Sequence, residues 1–158
     1  MMTKVKEIEV MEEMAKGEEK LSKEIDKLAG SVRSYSIKLL LEVMALDSRR
    51  HAKFYESLAN ILEPGRRMIS SADLSRIQEK IEYHIKEEAY HLNEVKKLAD
   101  STDNPKVKMI LNIIIKDEIR HHSIFQALKN EVIAKETIVE EDLWNKMYDP
   151  SIWMQEQL

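Results

Sequence analysis

The chain contains no cysteine. Within these residues that rules out a disulfide frame, a thiolate metal site, an iron–sulfur cluster and a cysteine nucleophile, so any redox chemistry must use carboxylates and imidazoles. Chain breakers are nearly as scarce. Three glycines and three prolines in 158 residues are too few for the tight turns of a sandwich, a barrel or a many-stranded α/β fold. Aromatic residues make up only 6%. The longest apolar run, from Met109 to Ile115, is interrupted by Asn112 and falls far short of a membrane span. Positive charge is not in excess either. The formal net charge is −4, and pairs such as Arg49–Arg50 and Arg66–Arg67 sit among acids, so nucleic acid is not an expected partner. The charged amino terminus carries no targeting pattern, and the expectation is a cytoplasmic protein with no membrane partner.

What the chain does contain is charge, 34% of its residues, interleaved with aliphatics and methionine. That mixture suits amphipathic helices with solvated outer faces. From Val5 to Leu28 the residues Ile8, Met11, Met14, Leu21, Ile25 and Leu28 recur at helical spacings, with Gly30 placed as a left-handed cap. A second periodic stretch runs from about Val32 to Leu62, through Leu41, Met44, Tyr55 and Leu58, and stops at Pro64-Gly65. Ser70 and Ser71 followed by Asp73 read as an N-cap with acid in the first turn, opening a third helix to about Ala99. Asn104-Pro105 pairs an N-cap residue with proline at the first helical position and opens a fourth, to about Ala134. A short helix around residues 140–147 is expected before Pro150.

The predicted architecture is all-α: an antiparallel four-helix bundle over residues 1–135, with a short helical tail over 136–158 that packs on the bundle or on a second subunit through Trp144 and Trp153. A homodimer is the expected assembly. The chain also repeats itself. Shifted by 70, residues 15–60 fall on 85–130 with 14 identities in 46 pairs, where about three are expected by chance. Glu18 falls on Glu88, Asp47 on Asp117, Arg50 on Arg120 and His51 on His121, so each half reads as the same helical hairpin.

Residues three, four and seven apart share a helix face. By that rule Glu18 lies among Met11, Met14, Leu21 and Ile25; Ser48 and His51 lie with Leu41, Met44 and Tyr55; Glu88 and His91 lie with His84, Ile81 and Val95; and Glu118 and His121 lie with Leu111, Ile114 and Phe125. Ionised carboxylates on apolar faces are costly without a partner, and a divalent cation would supply one. Glu-x-x-His occurs twice, at Glu88–His91 and Glu118–His121, and one helical turn sets the two donors at the same height. Iron or manganese suits such an oxygen and nitrogen set best, while zinc would need fewer ligands. His84 reads as a histidine that supports the ligands from behind or lies at the solvent edge, while His122, Tyr55 and the methionines of the first helix read as packing or helix-surface residues.

Over about residues 10–130 the chain resembles the ferritin-like superfamily, and within it the di-iron domain of rubrerythrins. Asp117-Glu118-Ile119-Arg120-His121 is the stretch most like the family. The resemblance implies a metal-ligand set of Glu18, His51, Glu88, His91, Glu118 and His121, with Glu88 and Glu118 as the catalytic, bridging carboxylates. It implies two iron ions and a cytoplasmic protein acting in oxidative stress, by oxidising Fe(II) or reducing peroxide or dioxygen. Ser48 departs from the pattern, standing where the family carries a bridging glutamate; six candidate ligands hold either one metal fully or two with water or hydroxide filling the gaps. Asp47 is about 100° away around the helix and could replace Ser48 only through rotation or a bulge. The cysteine-bound iron module of full-length rubrerythrins is absent from these residues, so electrons must come from an external donor or from incoming Fe²⁺. Two other readings stand beside this one. A metal-free or structurally metallated helical interaction protein would carry the same residues as a degenerate site, and an oxygen-inserting hydroxylase would need a substrate channel.

Overall fold

A computed structural model describes residues 3–63, 68–132 and 139. Four helices occupy them: α1 (Lys4–Ser31), α2 (Tyr35–Leu62), α3 (Ser71–Ser101) and α4 (Pro105–Val132). The expectations placed on the tail, including the helix over 140–147 and the docking role of Trp144 and Trp153, lie outside the described residues. Val139 alone is described there, forming an antiparallel bridge with Met68. The chain divides into two compact units, Met1–Gly65 and Arg66–Leu158. In the first, α1 packs along α2, and in the second α3 packs along α4. Among the described residues no helix is long and apolar enough to cross a membrane.

Local signals set three of the four helix starts. Ser70 caps α3, its Oγ accepting the Asp73 backbone N–H at 3.1 Å while the hydroxyl donates to the Asp73 carboxylate at 2.6 Å. Asn104 caps α4, its Oδ1 accepting from the Lys106 and Val107 backbone N–H groups, and Pro105 opens that helix as expected. Thr3 caps α1. At the other end of α1 the sequence reading fails. The helix continues through Gly30 to Ser31 and ends on Val32 in extended conformation, so Gly30 is an interior helical residue and not a left-handed cap.

The core of the first hairpin also differs from the expected stripe. Buried on α1 are Ala15, Ser22 and Ala29, and on α2 Ala45, Ser48, Ala52 and Ala59. The seven-residue spacings of the alanines mark a seam of small side chains between two helices. Met14 and Leu21, placed in the core by periodicity, are 44% and 47% exposed. The reason is steric: along a two-helix seam the residues on the contact line must be small for the axes to approach closely, and larger neighbours are displaced to the flank. The second hairpin is built differently. Leu74, Ile81, Ala99 and Leu111 are buried, and Leu74 packs with Ile69, Ile77 and Leu128.

Two measurements test this account. Ala52 is 4% exposed, and Ala52→Leu should overpack the α1–α2 seam and destabilise the protein by about 1–3 kcal/mol in urea unfolding. The Asp73 carboxyl is held below its ordinary value, first by the Ser70 hydroxyl and also by Arg76, with which it forms an ion pair. A group depressed on folding stabilises above its unfolded pKa and loses that contribution as pH falls through the folded value. The stability gap between the wild type and Asp73→Asn should therefore close on acidification below the normal aspartate range.

Candidate metal centre

Each hairpin brings one glutamate of its leading helix against one histidine of its returning helix. In the first hairpin His51 Nδ1 lies 3.5 Å from Glu18 Oε1. In the second, His121 Nδ1 lies 3.7 Å from Glu88 Oε2. The two pairs are related by the 70-residue shift in both members, so the duplication seen in the sequence is also a duplication of helix register. The neighbouring ion pairs repeat with it. Asp47 pairs with Arg50 at 2.9 Å and Asp117 with Arg120 at 2.7 Å. Asp47 is thereby engaged with Arg50.

The second hairpin adds a third donor. Glu88, Glu118 and His121 each offer a ligand atom, all within 4.8 Å of one another. Register explains the convergence: Glu118 and His121 are one turn apart on α4, and both face Glu88 across the α3–α4 pair. Other contacts hold that register, namely the stacked rings of His84 and Phe125, with centroids 5.2 Å apart, and the Lys129–Glu82 ion pair at 3.0 Å. His84 is thus a packing residue on the α3–α4 pair. His91 lies outside the triple and packs its ring against Tyr90, yet it is near enough to Glu118 to act on it electrostatically.

The electrostatics are those of a site short of positive charge. Oε2 of Glu18 and Oε2 of Glu88 are both shielded from solvent with no hydrogen-bond partner. The Glu118 carboxyl is pushed up from its ordinary value, first by its hydrogen bond to Glu88, then by burial and by the Glu88 charge; His121 and His91 pull it partly back. Two carboxyl groups this close repel one another, and a cation between them would relieve that repulsion. Orphaned carboxylate oxygens beside an imidazole form a donor set that fits a divalent ion of the iron or manganese type. Glu88, Glu118 and His121 would hold it, while Glu18 and His51 form a second, smaller donor pair.

Sequence reasoning missed two features. His122 is half-buried, with its Nδ1 shielded from solvent and without a hydrogen-bond partner; its repeat mate is the buried Ala52, a signal present in the duplication. The second is Arg49, whose Nε donates to Ser22 Oγ at 3.0 Å and whose guanidinium pairs with Asp26, tying α2 to α1. No motif announces it.

The rubrerythrin family model matches residues 9–129 of the chain. No curated protein and no solved structure matches it.

The raised Glu118 carboxyl gives a testable consequence. A carboxyl whose pKa rises on folding stabilises only below its unfolded value, and that contribution is lost as pH rises through the folded value. In metal-free protein kept in chelator, Glu118→Gln should melt at higher temperature than the wild type at neutral pH. The difference should vanish below the carboxylate range.

Proposed function

The chain belongs to the rubrerythrin family of ferritin-like di-iron domains, four-helix bundles by fold, and from that premise we propose that it binds iron and oxidises Fe(II) or reduces peroxide or dioxygen. The observation that carries this reading is the convergence of Glu88, Glu118 and His121 within 4.8 Å, with Glu88 Oε2 buried and unpartnered. All three lie inside the matched region.

Bound iron would supply the redox equivalents, two ferrous ions and two protons reducing one peroxide to two waters. The chain's own residues do the rest. Glu88 and Glu118 would balance the positive charge of the bound ion. His121 would bind through a neutral ring nitrogen. Glu18 and His51 extend the same kind of donor set from the first hairpin, and His91, beside Glu118, is the reserve imidazole. With no cysteine-bound iron module in these residues, an external donor or the incoming Fe²⁺ returns the electrons.

The test is elemental analysis of protein loaded anaerobically with Fe²⁺ and desalted, beside His121→Ala. Retained iron in the wild type, at least about tenfold weaker in the variant at unchanged helix content, is the expected result. Peroxide-dependent oxidation of the bound Fe²⁺ should follow the iron. A wild-type chain that retains no iron would sink the reading.

A further inference from the structure

Resting on the iron-binding reading above, we infer that the two hairpins load unequally: the α3–α4 hairpin holds one ion tightly at Glu88, Glu118 and His121, and the α1–α2 hairpin holds another weakly. The geometry that points to this is the repeat itself. Glu18 and His51 reproduce the Glu88–His121 contact at the same register, 3.5 Å against 3.7 Å, so the two hairpins differ in composition and not in alignment. What differs is the residue one turn before the histidine. It is Glu118 in the second hairpin and Ser48 in the first.

Serine cannot take the glutamate's part. Its hydroxyl sits on Cβ, two carbons short of a glutamate carboxylate, and stays protonated at neutral pH, whereas a ligand to a hard divalent ion should be anionic or a strong lone-pair donor. Ser48 is also only 7% exposed, on the α2 face that packs against α1. The adjacent acid, Asp47, is paired with Arg50, as its repeat mate Asp117 is with Arg120. A second change works in the same direction. Where α4 has Ile119, α2 has Arg49, whose guanidinium donates to Ser22, one turn along α1 from Glu18. The first hairpin thus offers an incoming cation one carboxylate with a guanidinium nearby, and the second offers two carboxylates.

The experiment is calorimetric titration of the metal-free chain with Co²⁺, followed in parallel by visible absorption of the bound ion. Two classes of site are expected, their dissociation constants at least about tenfold apart. Glu118→Gln should weaken the tight class, and His51→Ala should remove the weak class while leaving the tight one. Ser48→Glu should bring the two within a few-fold if the helix content by circular dichroism is unchanged. If that variant does not fold, the wild-type, Glu118→Gln and His51→Ala titrations decide alone. Two ions of equal affinity in the wild type, or a tight class lost in His51→Ala, would overturn the inference while leaving iron binding intact. No Co²⁺ bound at all would overturn the iron-binding reading together with it.

Discussion

A carboxylate oxygen that has lost water and gained no hydrogen bond is the constraint on which this structure turns. Such a group costs several kcal/mol in a protein interior unless something positive meets it. Among the described residues there are two, Oε2 of Glu18 and Oε2 of Glu88, at equivalent places of a duplicated hairpin. Beside each glutamate lies a histidine nitrogen beyond good hydrogen-bond distance, 3.5 Å from Glu18 Oε1 and 3.7 Å from Glu88 Oε2. Glu118 aggravates the problem, because its carboxyl is pushed up from its ordinary value by contact with Glu88. An arrangement unfavourable without a cation and favourable with one is preorganised for metal. The rest of each hairpin holds these groups where they are.

That holding is achieved by two different cores. The first hairpin uses alanine and serine at seven-residue spacing and locks the seam with Arg49, Ser22 and Asp26. The second uses leucine and isoleucine and fixes its register with the His84–Phe125 stack and the Lys129–Glu82 pair. Both arrive at the same glutamate–histidine register. Register is the property that both halves share, while the packing that enforces it has diverged.

Much of this was legible in the sequence because it rests on local rules. Ser70 and Asn104-Pro105 mark helix starts by backbone chemistry within four residues, and the helices begin there. The Glu88, Glu118 and His121 triple follows from helical periodicity plus the 70-residue shift. Gly30 was misread because a glycine near a helix end satisfies the local rule for a cap, while the chain turns two residues later. Met14 and Leu21 were misread because periodicity finds an apolar stripe without saying which line of it meets the neighbouring helix. Only the seam shows that the alanines lie on that line. Ser48 was legible as a departure from the pattern; its burial among small residues was not.

Seam and departure belong together. Side chains on the contact line set how closely two helices approach, and small ones bring the axes near the short end of the usual range, about 8 Å. Ser48 lies in that close seam, with Ala45 and Ala52 on the same buried face of α2. A glutamate there would have to find room between helices spaced for alanine, or leave the seam and take the helix face with it. In the α3–α4 hairpin the buried side chains are larger, and Glu118 stands half-buried with its carboxyl reaching Glu88. Close packing in one hairpin and a full donor set in the other are therefore alternative uses of the same repeat position. The first half has a small side chain in its seam, and the second has a carboxylate there, with leucine and isoleucine among its buried residues.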